Sequence, residues 1–320
     1  MRVHELPGSR PLADAFAREA RSRGERPIRY RLLGGKVGVP RLRAYLRTWV
    51  GVALWLTWPV ALARVLGRLG ARPSLHRLER WWARRVTRHL DVRLRIDGLE
   101  HLDPGVAYVV TPLHEGFADA LALFQLPLDL RFAARDELFE WRLLGPLLRD
   151  TGQLYVSPER GAWSYRRLRR VVGPILDGGE SVVLFPQGGI LGIETDFLGG
   201  PFALARTLGR PILPIALTGG AGVWEYPYTP RLRFGAPMSL RILPPIGTDE
   251  VAARSVEELR QIVMCSLKAA ALSGQLAPPR RFVPARDGYW DGYAYAIDPA
   301  FPALAADVAR RRAAPRPPPE

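Results

Sequence analysis

From residue 92 onward the chain alternates short apolar runs with amphipathic segments, and this rhythm constrains its fold more than any other feature. Candidate strands are Val92 to Ile96, Ala107 to Val110, Leu130 to Ala134, Leu154 to Val156, Ser181 to Phe185, Ile212 to Leu217 and Ser239 to Leu243. Candidate helices are Ala118 to Leu126, Leu138 to Arg149, Tyr165 to Leu176, Phe202 to Leu208 and Ser255 to Leu272. Strands separated by helices at this spacing predict an α/β domain with a mainly parallel central sheet. The 320 residues, 48% of them hydrophobic, supply a sizeable core and exclude a disordered chain for most of the length. A single cysteine, Cys265, excludes an internal disulfide framework and a Cys-based zinc site.

The net charge is +15, and only Lys36 and Lys268 of the 46 basic residues are lysines. Its distribution matters more than its size. Residues 1–47 carry a net +8 and residues 64–95 another +8, whereas Thr48 to Ala63 carry no charge. The basic excess therefore flanks one apolar stretch, TWVGVALWLTWPVALA, containing Trp49, Trp55, Trp58 and Pro59. Sixteen helical residues span roughly 24 Å, short of the roughly 30 Å hydrocarbon core of a bilayer. Pro59 further disfavours a straight spanning helix. Apolar residues, interfacial tryptophans and arginine-rich flanks suit a segment that enters one leaflet of an anionic membrane, and a buried core helix is the alternative. Leu75, Leu78, Trp81, Trp82, Val86 and Leu90 recur at helical spacing, so 48–69 and 75–90 are expected to pair around a turn at Gly70 to Pro73. The arginines between them form either a solvated face or side chains snorkelling at headgroup level. No zinc-finger or RNP-type pattern points to nucleic acid as the partner.

Four segments follow: a basic arm over 1–40, a membrane-associating helical pair over 41–90, the α/β domain over 91–275, and a C-terminal extension over 276–320. The last contains the aromatic group Tyr289, Trp290, Tyr293 and Tyr295 and ends in ARRRAAPRPPPE, a composition expected of a disordered tail.

The chemistry starts at His114, which follows the apolar run AYVVT and precedes a helix. Loops at the carboxyl ends of strands carry the active groups of open α/β sheets. Asp119 lies five residues on, about 140° away on an ideal helix. With His114 in the loop and Asp119 in the first turn, the carboxylate can reach back to the imidazole. An aspartate so placed fixes the ring tautomer and stabilises the imidazolium, which makes His114 a candidate general base. A second element is the strand and turn Val182-Val183-Leu184-Phe185-Pro186-Gln187-Gly188-Gly189, where adjacent glycines let the backbone approach a ligand and present N–H groups to an oxyanion. Leu154-Tyr155-Val156 followed by Ser157 to Gly161, and Pro211 to Ala216, are two more strand-and-turn elements.

In order, His114-Glu-Gly-Phe-Ala-Asp119, Gly152 to Arg160, Phe185-Pro-Gln-Gly188 and Ile212-Leu-Pro-Ile215 resemble the four blocks of the glycerolipid acyltransferase superfamily, which includes the 1-acylglycerol-3-phosphate acyltransferases. The resemblance covers roughly residues 90–245. It implies an αβ domain preceded by membrane-resting helices, and phospholipid or related lipid biosynthesis at the cytoplasmic face of a membrane. It implies acyl transfer from acyl-CoA or acyl carrier protein to a lipid hydroxyl, with no other cofactor and no metal. His114 would deprotonate the acceptor, Asp119 would orient His114, no acyl-enzyme would form, and Gly188 and Gly189 would stabilise the oxyanion. Phe185, Pro186, Gln187, Arg135 and Arg160 complete the implied substrate site.

The departures from the pattern are informative. Gln187, Gly189 and Ile190 replace the glutamate, threonine and arginine of the family's Phe-Pro-Glu-Gly-Thr-Arg block. Ser157 and Pro158 stand where an Asp-Arg pair is usual, with Arg160 two residues later. Isoleucine cannot hold a phosphate dianion, so the acceptor need not be lysophosphatidate, and a lysophospholipid or glycolipid is open. A catalytically silent, lipid-binding member of the superfamily is the alternative. No Gly-x-Ser-x-Gly elbow supports a serine hydrolase.

Overall fold

A computed structural model describes residues 46, 50–51, 53–157, 161–189, 196–223 and 234–272. The arm over 1–40, Trp49, Arg160, Ile190, the Tyr289 to Tyr295 group and the tail lie outside the described residues.

Seven strands form one sheet: β1 (Arg93–Asp97), β2 (Val109–Pro112), β3 (Leu130–Arg135), β4 (Leu154–Val156), β5 (Ser181–Val183), β6 (Ile212–Thr218) and β7 (Pro237–Ile242). Their order is β1-β7-β6-β2-β5-β3-β4. Every pair is parallel except β6 with β7, so β2 to β6 share one direction and β1 and β7 run the other way. The carboxyl ends of five strands therefore gather along one edge of the sheet.

Side chains alternate between the two faces along each strand. Val110, Phe132, Leu213, Ile215 and Leu217 pack with Leu123 and Leu126 of the β2–β3 connection and with Trp82 and Val86. Val109, Val182, Ile212 and Ala216 pack on the opposite face with helical residues Leu168, Val172, Leu204, Val263 and Leu267. The helices are α1 (Trp58–Arg68), α2 (Arg72–His89), α3 (Asp119–Leu123), α4 (Asp136–Glu140), α5 (Leu144–Asp150), α6 (Gly161–Asp177), α7 (Gly200–Leu208), α8 (Gly220–Val223), α9 (Thr248–Ala253) and α10 (Val256–Leu272). The single helix expected over Leu138 to Arg149 is two, α4 and α5. Pro146 cannot continue a helix from residue 142, so the chain turns at Trp141 and restarts with the proline in its first turn.

The helical pair forms as expected, with its first member broken. Residues 53–55 are helical, the chain bends at Leu56 and Thr57, and α1 starts afresh with Pro59 in its first turn. Trp58 meets Trp81 at a ring-centroid separation of 5.3 Å, and Trp82 Nε1 donates to the Trp55 carbonyl at 2.7 Å. One side of this first member remains bare: Leu54, Trp58, Leu62, Val65 and Leu69 are each at least 40% exposed.

Arginines of the pair tie it to the domain, among them Arg80, one of those in 75–90 expected to be solvated or snorkelling. Arg64 and Arg68 bind Asp150 at 2.6 and 3.0 Å, and Arg80 binds Asp129 at 2.7 Å. Arg72 reaches Glu180 at 2.7 Å and the Thr151 carbonyl at 2.7 Å. Glu180 also accepts a two-pronged contact from Arg131 and a hydrogen bond from His76 at 2.8 Å. Burial opposes the charged forms of both groups. The hydrogen bonds to Glu180 and Glu79 nevertheless push His76 up to about 9, while those from Arg131, His76 and Arg72 hold Glu180 well below the usual carboxylate range. These contacts all lie at the amino ends of β3, β4 and β5, the edge away from His114.

Candidate active site

β2 runs through four wholly buried residues and delivers His114 just past its carboxyl end. The loop then closes on Asp119, the first residue of α3. Asp119 Oδ2 accepts hydrogen bonds from the backbone of Glu115 at 2.7 Å and Gly116 at 2.9 Å, and from His114 Nδ1 at 2.7 Å. The five-residue spacing works because the loop wraps around that one oxygen. Asp119 is fully buried while the His114 side chain keeps 20% exposure, so the dyad has one dry end and one accessible end. With Nδ1 committed to the carboxylate, Nε2 is the ring nitrogen left to meet a substrate.

The β5 turn braces this histidine. The His114 ring stacks on Phe185 with centroids 3.9 Å apart and planes 20° from parallel. The His114 backbone N–H donates to Gln187 Oε1 at 2.5 Å, and Gln187 is only 2% exposed. Gln187 thus holds the His114 loop through an acceptor oxygen that glutamate would also possess. Gly188 has φ +70, and a side chain there would press on Leu198. Its amide donates to the Phe185 carbonyl at 3.1 Å, so the turn itself uses one of the two N–H groups expected to serve an oxyanion.

A third loop, after β6, closes the dry end. Gly219 N–H donates to the buried Glu115 carboxylate at 2.6 Å. Gly220 follows with its backbone directly on Asp119 Oδ1, where an added Cβ would overlap the oxygen. That oxygen has no hydrogen-bond partner among the described residues. Glu115 and Gly220 were not legible as site residues. The only signals were the position of Glu115 beside His114 and a glycine pair after an apolar strand.

Arg135 ends β3 with a largely buried side chain, so it is no loose surface group. Its guanidinium contacts Glu137 at 3.3 Å and the Gly188 carbonyl at 3.5 Å. Burial pushes Glu137 up, whereas Asp136, despite its burial, is held below its usual range by hydrogen bonds from Ser157 and Glu137 and by the Arg135 charge. Ser157 sits just past β4, and Arg160 lies outside the described residues. His114, Phe185, Pro186, Gln187, Gly188, Gly189 and Arg135 all fall along the ends of the adjacent strands β2, β5 and β3. Among the described residues no three His, Cys, Asp or Glu side chains group as metal ligands.

Residues 93–218 match the family described as Acyltransferase. Over 180 residues, 56% of this chain, the sequence is 27% identical to the lyso-ornithine lipid O-acyltransferase of Pseudomonas aeruginosa. The aligned part spans 66% of that protein's length. The fold is similar to the crystal structure of the 1-acyl-sn-glycerophosphate (LPA) acyltransferase PlsC from Thermotoga maritima, with a TM-score of 0.59 at 18% identity. That likeness covers 73% of this chain and 98% of the other.

Proposed function

We propose that the chain is a member of the glycerolipid acyltransferase superfamily and that it acylates the hydroxyl of a membrane lipid whose headgroup lacks a phosphate monoester, of the lyso-ornithine lipid kind. The observation that carries the chemistry is the dyad: His114 Nδ1 held 2.7 Å from a fully buried Asp119 carboxylate, with the ring fixed on Phe185. The acceptor hydroxyl transfers its proton to His114 Nε2 while its oxygen attacks the thioester carbonyl. The C–S bond then breaks, and the departing thiolate takes the proton from the imidazolium. Asp119 stabilises that imidazolium between the two steps. Of the two turn glycines, Gly189 is the candidate oxyanion donor, because the Gly188 amide is already spent on the turn.

Acceptor class follows from what the site lacks. Ile190 stands where the family's phosphate-binding arginine is expected, and the Arg135 guanidinium is already in contact with Glu137. A relative named for acylating lyso-ornithine lipid favours the same direction. The bare stripe from Leu54 to Leu69 suits the lipid interface, with the exposed Trp58 at headgroup depth. No helix among the described residues is long and apolar enough to cross a membrane.

The test is an acceptor panel assayed with a long-chain acyl thioester. Transfer to a lyso-ornithine lipid that exceeds transfer to lysophosphatidate supports the reading. Preference for lysophosphatidate removes the headgroup assignment, and binding without transfer to any acceptor supports a silent lipid binder.

A further inference from the structure

The exposed face of α6 carries charge that the fold does not use. Arg166, Arg167, Arg169 and Arg170 fall within five residues, all exposed, and the helix has no acidic residue before Asp177. None of the four takes a carboxylate partner among the described residues, whereas Arg64, Arg72, Arg80, Arg131 and Arg260 all do. Like charges one helical turn apart weaken a helix, so folding does not account for the cluster.

At about 100° per residue, Arg166, Arg169 and Arg170 occupy roughly 100° of arc, and Trp163 falls beside Arg170 on the same face. Trp163 is 42% exposed. Arg167 lies against both aromatic rings, 4.9 Å from the Tyr155 centroid and 5.6 Å from that of Trp163. An exposed tryptophan ringed by arginines has the composition of a protein-binding hot spot rather than of an ordinary solvated surface.

Position narrows the partner. α6 leaves β4 at the carboxyl edge of the sheet, so Trp163 and Arg166 start from the edge that carries His114. Its inner residues Leu168, Val172 and Ile175 pack on the face of the sheet opposite the one covered by Trp82 and Val86 of α2. α2 and α6 thus lie on opposite faces of the sheet.

Resting on the acyl-transfer reading, we propose that the Trp163–Arg170 face of α6 docks an acidic carrier protein that brings the acyl chain as a phosphopantetheine thioester. Complementary charge orients such a donor and speeds its encounter, and the thioester arm enters across the sheet edge to His114. The three arginines of the arc are splayed along an open helix, which suits a broad acidic surface better than the compact phosphates of free CoA.

The test uses full-length protein carrying Arg166→Glu, Arg169→Glu and Arg170→Glu together, with Arg167 retained. The same long acyl chain is supplied on purified acyl carrier protein and on CoA, and binding to anionic vesicles and the melting temperature are recorded in parallel. Docking predicts a fall in kcat/KM on the order of 10- to 100-fold for the carrier-borne chain, steeper at low salt, with CoA activity, vesicle binding and melting unchanged. Equal loss with both donors, no loss with the carrier, or loss of vesicle binding in place of carrier activity each overturns it. Wild-type transfer from CoA but not from the carrier overturns the docking alone. No transfer by wild type from either donor removes the acyl-transfer reading and the docking with it.

Discussion

Gly220→Ala isolates the contact that closes the buried end of the dyad. Gly220 lies in α8 outside the positive-φ region, so alanine is tolerated by the backbone there and favoured by helix propensity. The whole effect must therefore come from the new Cβ, which would overlap Asp119 Oδ1 and lie 2.9 Å from its Cγ. Overpacking of this kind costs roughly 1–3 kcal/mol. Displacing the carboxylate strips Oδ2 from the Glu115 and Gly116 amides, and a buried donor left unmade costs about 1–3 kcal/mol more. At about 2–4 °C per kcal/mol, the combined cost of about 2–6 kcal/mol lowers the melting temperature by roughly 4–24 °C. Once His114 loses its orienting carboxylate, kcat drops by roughly 100- to 10,000-fold. The acceptor KM stays near wild type, because Gly220 faces the dry side. The assay is thiol release with saturating acceptor, run as a double-mutant cycle with Asp119→Ala. In that background the obstructing oxygen is gone, so Gly220→Ala lowers neither kcat nor melting temperature further. A Gly220→Ala protein with normal kcat, or losses that simply add in the double mutant, would refute the reasoning.

Gln187→Met removes the acceptor for the His114 backbone N–H and is expected to cost about 1–3 kcal/mol in a melt, with a lower kcat, while Gln187→Glu keeps the oxygen and most of the activity. Equal damage from both substitutions would show that the bracing oxygen is not what matters. At the opposite edge, Glu180→Gln leaves Arg72, Arg131 and His76 short of their shared anion and is expected to destabilise by about 3 kcal/mol. His76 is raised above its unfolded value of 6.5, so its contribution is fully present below pH 6.5 and lost as pH rises through about 9. Glu180 is lowered, so its contribution is present above its unfolded value of 4.5 and lost as pH falls through its depressed folded value. Melts across pH should show both flanks in the wild type, whereas Glu180→Gln loses the acid flank and keeps only the smaller alkaline flank that Glu79 sustains, and identical profiles would count against the network.

Much of the fold could be read from residues because each strand is a short apolar run and each packed helix repeats its apolar side. Leu154 to Val156 needs no correction, and the other strands shift by a residue or two. Strand order was not legible, since pairing β2 with both β5 and β6 depends on contacts between distant segments. The His114–Asp119 pair was legible because both partners lie in one loop. The Gln187 brace and the Glu115–Gly219 contact were not, because they join residues 73 and 104 positions apart. The arginines of the helical pair show the same division. Composition reveals an excess of positive charge, but only the fold brings Asp150, Asp129 and Glu180 to Arg64, Arg80 and Arg72.

The central claim is that His114 moves the proton of a lipid hydroxyl during acyl transfer. Thiol release from a long-chain acyl thioester, measured with and without a lyso-ornithine lipid acceptor, tests it directly in wild type and His114→Ala. The account predicts acceptor-dependent release by the wild type that disappears in the variant while its melting temperature is retained. Undiminished, acceptor-dependent release by His114→Ala would contradict it.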